Sequence, residues 1–383
     1  MNELRTADNW RNWFCIAREY LVIAAAIGAA VWFFENRAAW GLGWGWNLPA
    51  AALAILLVGI GQHRLVMLGH EASHWVLFKN RLLNEVAANW CCFFPMWGRS
   101  YNYRVQHFAH HQHVNDPEKD PVVIDMTVCG NKFRHPMPLV EFIWECLVKL
   151  PLWVPGLIRY AIARARYATL GERPDVYRSS EPPSKVTLHL NAGYLLLLIG
   201  MLVAGVSLDL GLFFLLGIPA LWLGLYLSIA SRIASHHYGD VSRLKPDVAP
   251  RLDNHQTIAF ITILFTGLAL LTHHTDLPWV LYYLVLWLVP LFTSFAWLMI
   301  LREDIQHAHT GRAGFSHTRN FSGNPLFRWI VFPYHMDLHL PHHLYPFVPC
   351  HNLPKLHALL RETNVYRRHA IEVDGHLLHH GHS

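Results

Sequence analysis

Charged residues are scarce in this chain. Asp, Glu, Lys and Arg make up 15% of its 383 residues, whereas a soluble domain carries about 25%. Hydrophobic residues reach 53%, which favours a membrane protein. The formal net charge of +5 is mild, so the composition gives no reason to expect a nucleic-acid partner.

Cysteines are few and follow no motif. No pair has the C-x-x-C spacing of a zinc ribbon or an iron–sulfur site, and a disulfide framework does not suit so apolar a chain. We therefore expect free thiols that pack as small hydrophobic side chains. The six residues are Cys15, Cys91, Cys92, Cys129, Cys146 and Cys350.

Long apolar segments are abundant. Six of them group into three hairpins with short turns, and crossing a bilayer takes about 20 residues. The segments are 20–34, 48–60 (extending towards 68), 190–206, 210–230, 257–271 and 277–301. We predict an all-α fold: an integral membrane helical bundle of about four to six transmembrane helices with a cytoplasmic helical cap.

The distribution of basic residues predicts the orientation. The turns at 35–47, 207–209 and 272–276 contain one of the 31 Lys and Arg residues, Arg37. Cytoplasmic segments carry the excess of Lys and Arg, so we predict a multi-pass protein with both termini in the cytoplasm. The stretch 139–170 mixes Trp, Lys and Arg with aliphatic residues, which predicts a helix pair lying in the membrane interface.

Histidine is the residue in excess, with 28 copies. Residues three or four apart share one face of a helix, so a short box can direct several imidazoles at one point. Imidazole binds zinc, copper, iron and nickel, and a catalytic zinc takes only three protein ligands. The boxes, with His307 as a ninth candidate, predict a cytoplasmic site for two metals. They read His70-Glu-Ala-Ser-His74, His107-Phe-Ala-His110-His111 and His339-Leu-Pro-His342-His343.

Acidic and amide side chains near the boxes are candidates to orient the ligands. A metal-bound histidine usually donates its second ring N–H to a carboxylate or a carbonyl. Glu71, Glu303 and Asp304 could do this, with surface solvation as the alternative for each. The residues that we predict for this supporting role are Asn115, Asp116, Asp120 and Asp337.

The order and separation of the boxes resemble those of the membrane-bound fatty acid desaturase superfamily, which shares H-x-x-x-H, H-x-x-H-H and H-x-x-H-H. The flanks of the third box are also similar, with Thr318-Arg319 before it and Leu353-Pro-Lys-Leu-His357 after it. We expect a single membrane fatty acid desaturase-like domain over 1–383, with a core at about 20–360 and a histidine-rich tail at 361–383.

The resemblance implies a non-haem di-iron oxidoreductase that uses O2 to desaturate the acyl chain of a lipid or fatty acid. It implies no catalytic residue beyond the metal ligands. Because the sequence shows no cytochrome b5 domain and no iron–sulfur cysteine cluster, electrons would come from a separate donor of the ferredoxin, rubredoxin or cytochrome b5 type. The implied ligands of the two iron ions are His70, His74, His107, His110, His111, His307, His339, His342 and His343.

Two departures from the family pattern lie close to these histidines. Gln306 and Pro341 stand where many relatives have Glu. Proline lacks a backbone donor and disfavours a continuous helix, so we expect the third box on a turn or at a helix start. Six candidate spans also exceed the four that are commoner in the family.

Other functions fit parts of the same pattern. A lipid or carotenoid hydroxylase or ketolase of the superfamily would share the metal site. From another class, a membrane zinc metalloprotease would use His70-Glu71-Ala-Ser-His74 as an H-E-x-x-H motif, with Glu71 as the general base. A metal transporter would place its ligands at mid-membrane depth on broken helices, whereas these boxes lie beyond the predicted spans.

Overall fold

The computed structural model describes residues 2–128, 130, 137–171, 176–177, 184–238, 242–312, 314–374 and 379–380. Cys129 and most of the histidine-rich run at 376–382 lie outside the described residues. The described cysteines are free thiols, as predicted. The chain divides into two compact units, one formed by Met1–Thr169 with Leu286–Ser383 and the other by Leu170–Val285.

Helices make up most of both units. The first unit begins with α1 (Arg11–Asn36), α2 (Asn47–Ser73), α3 (Arg81–Ala88), α4 (Ser100–Gln112), α5 (Pro121–Val128), α6 (Leu139–Phe142), α7 (Leu150–Leu152) and α8 (Val154–Ala168). The second unit contains α9 (Lys185–Ser207), α10 (Gly211–Ala230), α11 (Pro250–Thr275) and α12 (Trp279–Tyr283). The first unit resumes with α13 (Val289–Phe292), α14 (Ser294–His307), β1 (Arg319–Phe321), α15 (Pro325–Val331), α16 (His339–Leu344), α17 (Leu353–Arg361), α18 (Asn364–His369), β2 (Ile371–Asp374) and β3 (His379–His380).

Within the described residues, six helical stretches are long and apolar enough to cross a membrane, and each overlaps one of the six predicted segments. This confirms the all-α membrane bundle. A bent pair, Leu139–Leu152 with Val154–Ala168, turns by 73°; it is the predicted helix pair, and its place in the interface stays a prediction. The six stretches are Arg11–Trp40, Trp44–Ser73, Lys185–Ser207, Gly211–Ala230, Pro250–Thr275 and Trp279–His307.

The first helix starts at Arg11, well before the predicted residue 20, and it includes Glu19, whose charge is buried in an internal ion pair. Glu19 is 1% exposed, and its two carboxylate oxygens accept hydrogen bonds from Arg64 of α2 at 2.8 and 3.1 Å. Tyr334 donates to the same carboxylate at 2.6 Å. A buried charge is tolerated only with such partners, and apolar counting along the sequence cannot anticipate them.

Helix α2 lies at the centre of the first unit, and every residue from Val58 to its end is buried. Two glycines let its neighbours approach closely. A Cβ atom at Gly61 would collide with Ile23 of α1, and one at Gly59 would collide with Ser294 of α14. This close packing brings the histidine-bearing ends of α2 and α14 side by side.

In the second unit, a ring of hydrogen bonds joins three helices. Asn191 of α9 donates to Asn254 of α11, Asn254 donates to Tyr226 of α10, and Tyr226 donates back to Asn191, at 2.6 to 2.8 Å. Polar groups among membrane helices must find partners inside the protein. The ring therefore fixes how α9, α10 and α11 pack against each other.

A small three-stranded sheet was not predicted. β1 and β2 are parallel, with Arg319 opposite Ile371 and Phe321 opposite Val373, and β3 pairs antiparallel with β2. Asn320 of β1 also forms an isolated bridge with Leu338, the residue before His339, so the sheet stands beside the third histidine box.

Candidate metal centre

The first box lies at the C-terminal end of α2, with His70 on the last turn and His74 directly after the helix. The last carbonyls of a helix have no partner within it. Arg104 of α4 supplies partners here, since Nε donates to the Ser73 carbonyl at 3.0 Å and Nη2 to the Ala72 carbonyl at 3.1 Å. The first box is therefore anchored from the helix that carries the second.

Arg104 is itself buried and paired. It is 1% exposed, and Nη2 lies 2.5 Å from the carboxylate of Glu85 on α3. Its guanidinium also stacks on Trp75, 4.7 Å from the ring centroid. One buried cation thus joins α2, α3 and α4 around the first two boxes.

The second box lies along α4, where adjacent residues point about 100° apart. His107 and His111, one turn apart, therefore point in nearly the same direction, whereas the adjacent His110 and His111 point about 100° apart. The Asp120 carboxylate lies 2.9 Å from Nδ1 of His110 and accepts the backbone N–H of Asn115 at 2.8 Å. Asp120 thus fixes the orientation of the His110 ring.

The third box opens a short helix. α16 begins at His339, and Pro341 is its third residue, where a helix start leaves the backbone N–H unused. The expectation of a turn or helix start is confirmed. His307, the ninth candidate, is the last residue of α14.

The structure brings all nine predicted ligands together in two adjoining clusters. Within each cluster the ligand nitrogens lie within 4.8 Å of one another. The clusters are neighbours, because the rings of His111 and His343 stack with centroids 4.1 Å apart. The five-histidine cluster is His70, His74, His107, His111 and His342, and the four-histidine cluster is His110, His307, His339 and His343.

The donor set fits transition-metal ions. Nε2 atoms face each other at 2.8 Å between His74 and His107 and at 2.9 Å between His307 and His339. Nε2 of His70 is buried without a hydrogen-bond partner in the part of the chain that is described. Buried polar atoms without partners are costly, and a metal ion would supply the missing partner.

Burial keeps most of these imidazoles in the neutral form that binds metals. His110 differs: burial alone would lower its pKa, but the charge of Asp120 and the hydrogen bond to it raise the pKa overall. Burial lowers the pKa well below the usual value for His74, His107, His111, His339, His342 and His343.

Of the four residues predicted to support the ligands, Asp120 does so directly and Asn115 does so through Asp120. Asp116 instead accepts two backbone N–H groups of its own turn, at 2.9 and 3.1 Å. Asp337 pairs with Arg328 at 2.5 Å. Among the described residues, neither Asp116 nor Asp337 bonds to a box imidazole, because closeness in sequence does not fix the direction of a side chain.

Two other carboxylates border the clusters. Glu71 has one oxygen 3.8 Å from Nδ1 of His70, and the other accepts the backbone N–H of Cys350 at 2.7 Å. Glu303 has one oxygen 4.0 Å from Nε2 of His307. Asp304 is buried near Arg319. Glu71 therefore lies beside His70 without a hydrogen bond to its ring, and is held by the backbone of Cys350.

Gln306, the first departure from the family pattern, uses both ends of its amide. The oxygen accepts from Arg302 at 2.9 Å, and the nitrogen donates to the Met336 carbonyl at 2.7 Å. An ionised glutamate accepts hydrogen bonds but does not donate them. The amide therefore suits this position, where it ties α14 to the turn before the third box.

Two supports of the site were not predicted. Arg104 could have been found, since it lies three residues before His107 and hence on the same face of α4. The second support is the backbone carbonyl of His317, which lies 3.3 Å from Nδ1 of His307. This contact could not have been predicted, because a backbone contact across a loop leaves no sequence signal.

Comparison with known proteins gives two similarities. The model of the family described as "Fatty acid desaturase" matches residues 44–266 and 240–375, a region that contains all three boxes and His307. Over 122 residues the chain is 36% identical to dihydrorhizobitoxine desaturase of Bradyrhizobium elkanii. That stretch covers 32% of this chain and 31% of the relative, so the chain spans about a third of the curated relative that it matches.

Proposed function

The chain belongs to the fatty acid desaturase family, and we propose that it is an O2-dependent, non-haem di-iron membrane oxidoreductase that desaturates the acyl chain of a lipid or fatty acid. The observation that carries this proposal is the convergence of nine histidines into two adjoining clusters. These histidines come from the ends of two membrane-type helices and from the segments that follow them.

The residues of the two clusters suit this chemistry. Bound iron would supply the O2-dependent removal of hydrogen from an unactivated C–H bond, which no protein side chain performs. The neutral imidazoles would hold the ions, and Asp120 would orient His110. Burial of both clusters limits the access of bulk water to the reacting centre.

The orientation and the partners are part of the proposal. His70 lies at the opposite end of α2 from the α1–α2 turn. The three hairpin turns together contain only one Lys or Arg residue in the sequence, Arg37 of the α1–α2 turn. The positive-inside rule then places the clusters and both termini in the cytoplasm. There a separate donor of the ferredoxin, rubredoxin or cytochrome b5 type would deliver electrons, while the substrate enters from the membrane.

The zinc-protease alternative has less support. A protease base must face a water molecule on the metal, whereas one carboxylate oxygen of Glu71 accepts the backbone N–H of Cys350 at 2.7 Å. The alternative would also leave the second and third boxes without a role.

Lipid profiling tests the proposed reaction. Cells that express the chain should accumulate acyl lipids two hydrogens lighter than their saturated precursors, and cells that express the His342→Ala variant should not. Products one oxygen heavier would identify a hydroxylase instead. Lipids that are identical with and without the active chain would contradict an acyl-lipid substrate.

A further inference from the structure

A series of hydrogen bonds between buried polar side chains connects the C-terminal segment to the third box. The backbone N–H of Leu340, in the first turn of α16, donates to Oδ1 of Asn320 at 3.1 Å. Nδ2 of Asn320 donates to Oη of Tyr366 at 2.8 Å, and Oη lies 3.0 Å from Nδ1 of His357. Asn320 is 3% exposed and Tyr366 is 0% exposed.

The hydrogen-bonding roles of the Asn320 amide are fixed by its neighbours. Because Oδ1 of Asn320 accepts from the backbone, its nitrogen must donate, and Oη of Tyr366 is the acceptor. Oη of Tyr366 also shares a hydrogen bond with Nδ1 of His357, in which the tautomer of the imidazole sets the donor, and the other nitrogen of His357 lies 3.7 Å from the Glu372 carboxylate. Removing the hydroxyl of Tyr366 would therefore leave the buried Nδ2 donor of Asn320 without this acceptor, which is unfavourable.

The same strand also holds the end of α14. Next to Asn320, Arg319 donates to the Ile305 carbonyl at 3.0 Å and to the Ala308 carbonyl, and Thr318 donates to the Gln306 carbonyl at 3.0 Å. These carbonyls belong to the last turn of α14 and the residue after it, around His307. Strand β1 thus fixes His307 on one side and the start of α16 on the other.

The C-terminal segment holds β1 in place. β2 pairs with all three residues of β1, and the N–H of Ser322 donates to the Val373 carbonyl at 2.8 Å. Tyr366 is itself positioned by α18, whose first turn is capped by Thr363. Residues 364–374 therefore support the four-histidine cluster from outside.

We propose that Tyr366 is a positioning residue of the four-histidine cluster, acting through Asn320 on the first turn of α16 and so on His339 and His343. The inference rests on the proposed metal centre and extends it to a segment that contributes no ligand. It assigns the residues beyond α17 a role in holding one of the two metals.

The test is the Tyr366→Phe variant of the full-length chain, stripped of metal and titrated with Co²⁺ while its visible absorption is followed. The wild type should bind two equivalents. In the variant one equivalent should keep its affinity and the other should bind about 10–100-fold more weakly, the usual effect of losing an outer-shell partner. Tyr238→Phe is the matched control, since it also loses one hydrogen bond, to the Ala230 carbonyl at 2.7 Å, but lies in the second unit.

A second variant separates positioning from general destabilisation. Asn320→Ala should weaken the same equivalent, and the double variant should be no weaker than Asn320→Ala alone, because both changes act along one route. Wild-type affinities in Tyr366→Phe, or equal weakening of both equivalents, would overturn the inference. A wild type that binds no Co²⁺ would overturn the proposed metal centre and this inference together.

Discussion

Replacing His342 with alanine is expected to abolish turnover. His342 is fully buried, and its Nε2 lies 3.2 Å from that of His111. Its ring centroid is 4.5 Å from that of His70 and 4.9 Å from that of His74, so it closes the five-histidine cluster from the third box. Loss of an outer-shell partner alone costs 10–100-fold, so we expect loss of this ligand to lower activity by more than about 100-fold.

The measurement is product formation together with iron per chain in the purified variant. Membrane insertion should be unchanged, because α16 lies outside the candidate spans. His351→Ala is the control, since His351 is half-buried close to the third box and belongs to neither cluster. A His342→Ala protein with wild-type activity would remove this residue from the metal site.

Replacing Arg104 with methionine is expected to destabilise the first unit and to empty the five-histidine cluster. Methionine fills similar space but removes the guanidinium that pairs with the buried Glu85 carboxylate and that donates to the Ser73 and Ala72 carbonyls of α2. Removing one partner of a buried ion pair costs about 3–5 kcal/mol. The free energy of unfolding should fall by this amount, and metal content should fall with it because His70 and His74 lose their anchor.

Thermal unfolding in detergent and metal analysis check this prediction. Arg81→Met is the matched control, because the exposed Arg81 also stacks on Trp75, 4.6 Å from its centroid, and such exposed contacts contribute only about 0.5–1 kcal/mol. Arg104→Lys should be intermediate, since an ammonium keeps the charge but not the fork of donors. An Arg104→Met protein as stable and as metal-rich as Arg81→Met would contradict the anchoring role.

The sequence predicted what depends on periodicity. Apolar runs located the six candidate spanning helices, and the three- and four-residue spacing of the histidines indicated which side chains could point at one site. Pro341 correctly indicated a helix start. The division of the boxes into two clusters also follows from helix geometry, since neighbours such as His110 and His111 point about 100° apart, although this was recognised only in the structure.

What the sequence could not predict depends on contacts between distant residues. Tyr366 meets Asn320 across 46 positions, and the Glu19–Arg64 pair hides charges that would otherwise mark the end of a span. Asp116 and Asp120 have the same side chain and lie in the same loop, yet only Asp120 reaches an imidazole. No local pattern distinguishes these two residues.

Metal analysis of the purified wild-type chain tests the central claim most directly. If the two histidine clusters form a di-iron centre, protein isolated from iron-replete cells should contain about two irons per chain, since each cluster offers more than the three protein ligands that a catalytic metal needs. One zinc per chain, with no second metal bound when iron is added, would contradict the account.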